Sequence, residues 1–171
     1  MPRRWGGRQF SRRPKYHAVP VFADDTRDTL YTRLDLETAC LMCGIPLRIE
    51  ARHRLGSPTL RPLTLRELAT ALTLTGQPFA SKAEAQRFLM LRQWQREGRI
   101  VGLTCQVPFD LHAPGGAKVG RYIADFIYQT PVGERVVEDV KGVTTPSYLR
   151  SKKHMLAEYG VHISEVRRVG M

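Results

Sequence analysis

Two apolar runs joined by a short turn, RYIADFIY at 121–128 and RVVEDVKG at 135–142, constrain this chain more than any other feature. Both are rich in β-branched and aromatic residues, and Pro131-Val132-Gly133 between them supplies a turn. Successive side chains on a strand point to opposite faces, so residues two apart share a face. Asp139 and Lys141 are therefore expected to project together with Val137, and Asp125 to share a face with Ile123 and Ile127. If the strands pair as a hairpin, Asp125, Asp139 and Lys141 can converge on one spot. Two carboxylates and an ammonium at a strand end suit a divalent cation and an attacking water. They also suit a satisfied ion pair at a sheet edge, and D-x-K alone does not separate the two readings.

Charge narrows the choice of partner. The 171 residues carry 27 Lys+Arg against 16 Asp+Glu, a formal net charge of +11. That excess favours a polyanion through counterion release and steering. No apolar run approaches a membrane span, and no basic amphipathic helix stands out, so a membrane partner is not expected. Met1 to Lys15 is charged without an apolar core and does not read as a secretory signal. Three cysteines give no disulfide framework, which fits a reducing cytoplasm. Nucleic acid is the expected partner.

The first 18 residues read as a basic arm. Arg3, Arg4, Arg8, Arg12, Arg13 and Lys15 are interleaved with Trp5, Phe10 and Tyr16, a composition suited to phosphate contacts and base stacking or to a solubilising terminus. Residues 19–76 read as a small helical insertion or cap. The pattern predicts one helix over Asp35–Cys43, stopped by Gly44, and a second over Leu65–Leu74, capped by Thr64. Cys40-x-x-Cys43 lacks a second close ligand pair, so buried free cysteines are expected there rather than zinc.

From Phe79 onward the periodicity is clear. A helix is predicted from Ser81 to about Glu97, with Phe88, Leu91 and Trp94 along one flank. Glu84 looks inward with Phe88, yet Ser81 and Glu84 also fit a capping box. A strand over Leu103–Leu111 would place Cys105, Val107 and Phe109 on one face, with Pro108 asking for an edge or a bulge. After the two central strands, Thr145 and Pro146 open a helix that runs to Glu158 and ends at Gly160. A last strand is expected over Val161–Val169. The order is helix, three strands, helix, strand, an α/β (α+β) arrangement.

That order, with an acid on the helix, D on the second strand and D-x-K on the third, resembles the PD-(D/E)XK nuclease superfamily. FASKAEAQRF, TCQVPFDL, GRYIADFIY, VVEDVKG and TTPSYLRSKK together are similar to small phage and prophage endonucleases of that superfamily. The resemblance covers 77–171 and implies a restriction-endonuclease-like core with a mixed sheet. It implies Glu84, Asp125, Asp139 and Lys141 as the catalytic set. Asp125, Asp139 and the Val140 carbonyl would hold Mg²⁺, for which Mn²⁺ substitutes, and Glu84 would serve a second ion or its water shell. Lys141 would orient or deprotonate the attacking water, or neutralise charge on the phosphate. Thr144, Tyr148, Arg150, Lys152 and Lys153 would grip the DNA backbone. Ala124 stands where the superfamily pattern has proline, and Val19–Gly76 has no counterpart in it.

The activity so implied is a metal-dependent DNA endonuclease, with branched or recombination-intermediate DNA as the substrate of the superfamily's junction resolvases and a homodimer as their usual form. The alternative is a non-catalytic DNA-binding protein, which would gain nothing from three carboxylates facing phosphates. No RNA-recognition motif supports an RNA substrate.

Overall fold

The computed structural model describes residues 19–51 and 59–167. Its thirteen described elements alternate short strands and helices before a larger sheet. They are β1 (Val21–Asp24), β2 (Thr29–Thr32), α1 (Arg33–Met42), β3 (Arg48–Ala51), β4 (Thr59–Pro62), α2 (Leu65–Ala71), β5 (Gly76–Phe79), α3 (Lys82–Arg96), β6 (Val101–His112), β7 (Lys118–Gln129), β8 (Arg135–Lys141), α4 (Pro146–Tyr159) and β9 (Ile163–Arg167). The fold is a mixed α+β architecture. Among the described residues no helix is long and apolar enough to cross a membrane.

The main sheet has the order β6-β7-β8-β9. β6, β7 and β8 pair antiparallel, and β9 joins β8 in parallel. A parallel neighbour needs a crossover, and α4 provides it. Thr145 caps α4 by accepting the Tyr148 N–H, Pro146 begins it, and Gly160 closes it at φ 64°. Pro108 sits on β6, the outer strand, where its missing N–H costs the ladder little.

Helices cover both faces of this sheet. On one face α3 packs Ala85, Phe88 and Leu91 against Phe126, Tyr128 and Val140. On the other, Tyr148 and Met155 of α4 pack against Tyr122, Ala124, Val137 and Ile163. Each large side chain so buried contributes roughly 1.5–3 kcal/mol.

The segment expected to be a helical insertion, 19–76, contains four strands and the first residue of a fifth as well as its two helices. β2-β1-β5 form a three-stranded sheet and β3-β4 a two-stranded one. Four-residue strands are too short to show alternation, and β1 is buried at every position, so its pattern is an apolar run. Val21, Ala23 and Phe79 join the same core as α3, which ties this segment to the main sheet. The second helix also ends three residues earlier than expected, at Ala71, with Thr73 at φ 54°.

One irregularity shapes everything that follows. Cys105 packs on the α3 side while Val107 and Phe109 pack on the α4 side. Their partners do the same: Phe126 faces α3 and Ala124 faces α4. The register is unbroken, with Cys105 opposite Phe126 and Val107 opposite Ala124. Gln106 lies between them at φ 55°, a left-handed conformation uncommon for a side chain of its kind. Both strands therefore exchange faces at Gln106 and Asp125. The expectations that Cys105, Val107 and Phe109 share a face, and that Asp125 shares one with both Ile123 and Ile127, fail for this reason.

Candidate active site

The face exchange coincides with the end of the β7–β8 ladder, whose last pair on this side is Phe126 with Glu138. Beyond it the strands are no longer paired, and the Asp125 carboxylate takes the place of a ladder acceptor. Its Oδ2 accepts the Val140 N–H at 2.9 Å, and its Oδ1 accepts from Gln106 Nε2 at 3.2 Å. Asp125 is 4% exposed and Asp139 1%, so both carboxylates are inside the protein. Their charges reach the same two phenols. Tyr122 and Tyr148 hydroxyls are pushed up first by burial, and then by Asp139 and Asp125 among other neighbours.

Asp139 and Lys141 project to the α4 side with Val137, as alternation requires. Lys141 Nζ stands 2.5 Å from Asp139 Oδ2 and 4.3 Å from the centre of the Tyr148 ring. The approach to Oδ2 is close but off the directions a hydrogen bond needs, so that oxygen is ion-paired without being hydrogen-bonded. The Tyr122 hydroxyl, also buried, lies beside Asp139 without a well-formed hydrogen bond. A carboxylate oxygen with spare acceptor capacity beside a second carboxylate is a donor set for a hard cation. Among the described residues no three His, Cys, Asp or Glu side chains converge closely enough to hold an ion between them. The set in this conformation is thus a carboxylate pair, which suits Mg²⁺, an ion that keeps several waters and takes one or two carboxylates plus phosphate oxygens.

Glu84 is 1% exposed in the first turn of α3. Full reciprocal capping boxes form at Thr32–Asp35 and Thr64–Glu67, whereas at α3 only the Ser81 half forms, accepting the Glu84 N–H at 3.2 Å. The Glu84 carboxylate is buried rather than returned to the helix start. Glu138 points to the α3 face, away from Asp139, where Arg87 holds it through two contacts of 2.7 Å and Tyr128 adds a third bond at 3.0 Å. That burial and the Glu138 charge push Tyr128 up to about 12.

The residues expected to grip DNA divide into three groups. Tyr148 is buried, and its hydroxyl donates to Glu165 Oε1 at 3.2 Å. Lys152 donates to the same oxygen at 2.6 Å, which holds Glu165 below the usual carboxylate range. Tyr148 is thus committed inside the protein, whereas Lys152, its side chain 38% exposed, is held by an ion pair at the surface. Thr144, Arg150 and Lys153 are exposed. Arg150 and Lys153 line a cleft of about 600 Å³ between α4 and the β6–β7 turn, with His112, Pro114, His154 and Glu158. Arg3, Arg4, Arg8, Arg12, Arg13 and Lys15 lie outside the described residues. Of the CxxC pair, Cys40 is buried and Cys43 is exposed at the end of α1.

Sequence reasoning missed Gln106 and Glu165. Gln106 is an amide inside an apolar strand, which was the available signal. Glu165 faces Asp139 across the parallel pair, a relation no local pattern encodes.

A family model described as a protein of unknown function, DUF1064, matches residues 66–168, more than half of the chain. No curated protein and no solved structure matches.

Proposed function

We propose that this chain, which belongs to the DUF1064 family, is a metal-dependent DNA endonuclease of the PD-(D/E)XK type, with a restriction-endonuclease-like core built on β6–β9, α3 and α4. The observation that carries the reading is the convergence of buried Asp125 and Asp139 with Lys141 where β7 and β8 part. A chain of charge +11 that served only to bind phosphates would lose affinity by burying acids beside its contact surface.

Asp125 and Asp139 would hold Mg²⁺ with the Val140 carbonyl, and the bound ion would supply Lewis acidity and a readily deprotonated water. The remaining work falls to the chain. Gln106 and the Val140 N–H fix the Asp125 carboxylate, leaving it pre-oriented. Lys141, held between Asp139 and the Tyr148 ring, presents an ammonium where charge develops on the phosphate. Glu84, buried in the first turn of α3, is the further carboxylate that the resemblance assigns to a second ion or its water shell. Arg150 and Lys153 at their cleft contact the backbone, which positions the duplex without reading its sequence. Branched DNA is the substrate class the resemblance favours.

The test is cleavage of labelled linear, nicked, flapped and four-way-junction DNA with Mg²⁺ or Mn²⁺ against EDTA, using wild type beside Asp139→Ala. Metal-dependent cutting that disappears in Asp139→Ala while DNA binding persists is expected. Tight binding with no cutting under any metal would reject the nuclease in favour of a DNA-binding protein.

A further inference from the structure

A second cleft, of about 380 Å³, opens on the α3 side of the molecule where the N-terminal segment meets the main sheet. Asp25, Arg66, Gly76 and Gln77 come from that segment, and Phe88, Arg92, Leu103, Thr104 and Cys105 from α3 and β6. Its size is at the small end of the range for ligand pockets.

The lining has three kinds of chemistry in one place. Phe88, Leu103 and Cys105 give an apolar wall, and Gln77 and Thr104 offer neutral donors and acceptors. Arg66 and Arg92 supply two guanidinium groups. Arg92 is fixed by a 2.8 Å bond from Nη2 to Asp25 Oδ2, and its buried Nε has no hydrogen-bond partner among the described residues. Arg66 is exposed near the start of α2 and makes no ion pair among the described residues. An apolar wall beside amide groups and guanidinium forks suits a molecule that is flat and uncharged at one end and anionic at the other. A nucleotide has that shape and charge.

The cleft lies on the opposite face of the sheet from Asp139 and Lys141 and joins the candidate active site through β6 and α3. Cys105 is followed by Gln106, whose amide holds Asp125, and Phe88 lies about one helical turn beyond Glu84. At its Gly76 edge the β1 and β5 backbones run unusually close together. Gly76, at φ 132°, approaches the Ala23 carbonyl so closely that a Cβ would stand 1.9 Å from the oxygen.

We propose that this cleft receives one unpaired nucleotide of the bound DNA, with Arg66 and Arg92 on its phosphate and Gln77 on its base edge. The inference rests on the nuclease reading and deepens it: the N-terminal segment selects duplexes that carry an unpaired nucleotide. A fully paired duplex keeps its bases stacked and cannot fill the cleft.

The experiment measures binding in EDTA, by fluorescence anisotropy, to a fully paired duplex and to the same duplex with one unpaired nucleotide. Wild type is expected to bind the second about tenfold more tightly, the scale of one charge-assisted hydrogen bond sheltered from water. Arg66→Ala and Gln77→Ala, both at accessible positions, should remove that preference and leave affinity for the paired duplex unchanged. Equal affinity of wild type for both DNAs, or a preference that survives both substitutions, overturns the proposal. Cleavage by wild type against Asp139→Ala is scored separately. Preferential binding through Arg66 without cutting refutes only the nuclease, and cutting with no dependence on an unpaired nucleotide or on Arg66 refutes only the cleft.

Discussion

Replacing Arg87 by alanine should destabilise this protein more than any change to its surface ion pairs. The Glu138 side chain is 1% exposed and that of Arg87 15%, and two contacts of 2.7 Å join them in a bidentate pair. Without the guanidinium, Glu138 would keep only the Tyr128 hydroxyl, and a carboxylate would remain buried beneath α3. Breaking a buried pair from one side costs about 3–5 kcal/mol, against the roughly 5–15 kcal/mol that holds a domain folded. Arg87 also lies 4.8 Å from the Trp94 ring centre, so its loss removes packing as well as charge. Urea unfolding followed by far-UV circular dichroism gives the comparison, provided the slope against denaturant is unchanged. Removing all three polar partners together, as Arg87→Met, Glu138→Leu and Tyr128→Phe, should recover most of the loss, because no buried polar group is then stranded. A loss below about 1 kcal/mol for Arg87→Ala would refute the reasoning, since that is what an exposed pair contributes.

Two further outcomes follow from backbone and charge. Gly76→Ala should cost about 2–3 kcal/mol or more in the same unfolding assay, because its Cβ would meet the Ala23 carbonyl oxygen at 1.9 Å and φ 132° is open to glycine alone; a loss under about 1 kcal/mol would contradict it. Acid should weaken the fold through carboxylates held below their ordinary range, among them Glu67, held down chiefly by Arg61 and then by Thr64. A depressed folded value contributes stability that is present above the ordinary value of 4.5 and disappears as pH falls through the lowered one. Urea midpoints measured from pH 6 down to about pH 2 should therefore fall less steeply in Glu67→Gln than in wild type, and parallel curves would sink the assignment.

Which features the sequence reveals depends on how local their causes are. The caps of α3 and α4, the turn between β7 and β8, and the pairing of Asp139 with Lys141 depend on residues within a few positions of one another. All are readable. Strands β1 to β5 are four residues each, and β1 owes its burial to α3 and β5, so nothing within it announces a strand. The face exchange at Gln106 depends on one positive φ that no residue-type rule predicts for glutamine. Arg87 and Glu138 are 51 positions apart, and Lys152 reaches back from α4 to Glu165 on β9. Such pairs are decided by which faces the helices cover. This is why Lys152 and Tyr148 read as DNA contacts in the sequence while the structure pairs both with Glu165.

The same sheet also supplies a comparison that tests the proposed site against a structural ion pair. Glu138 and Asp139 are adjacent, equally buried, and each faces a cation. Glu138 has every feature of a satisfied pair: a bidentate guanidinium, both oxygens engaged and a phenol donating as well. Asp139 has Oδ2 outside hydrogen-bond geometry, a lysine where a planar fork would fit better, and the Tyr122 hydroxyl beside it without a well-formed bond. A buried group left partly satisfied calls for an explanation, and the catalytic role proposed for Asp139 supplies one. The two acids should then respond oppositely to neutral isosteres. Glu138→Gln should lose stability, on the order of 1–3 kcal/mol, because it weakens a complete network. Asp139→Asn should leave stability unchanged or raise it, while abolishing metal-dependent cleavage. If Asp139→Asn instead unfolds as readily as Glu138→Gln, Asp139 is holding the fold together and the case for a catalytic carboxylate at this position fails.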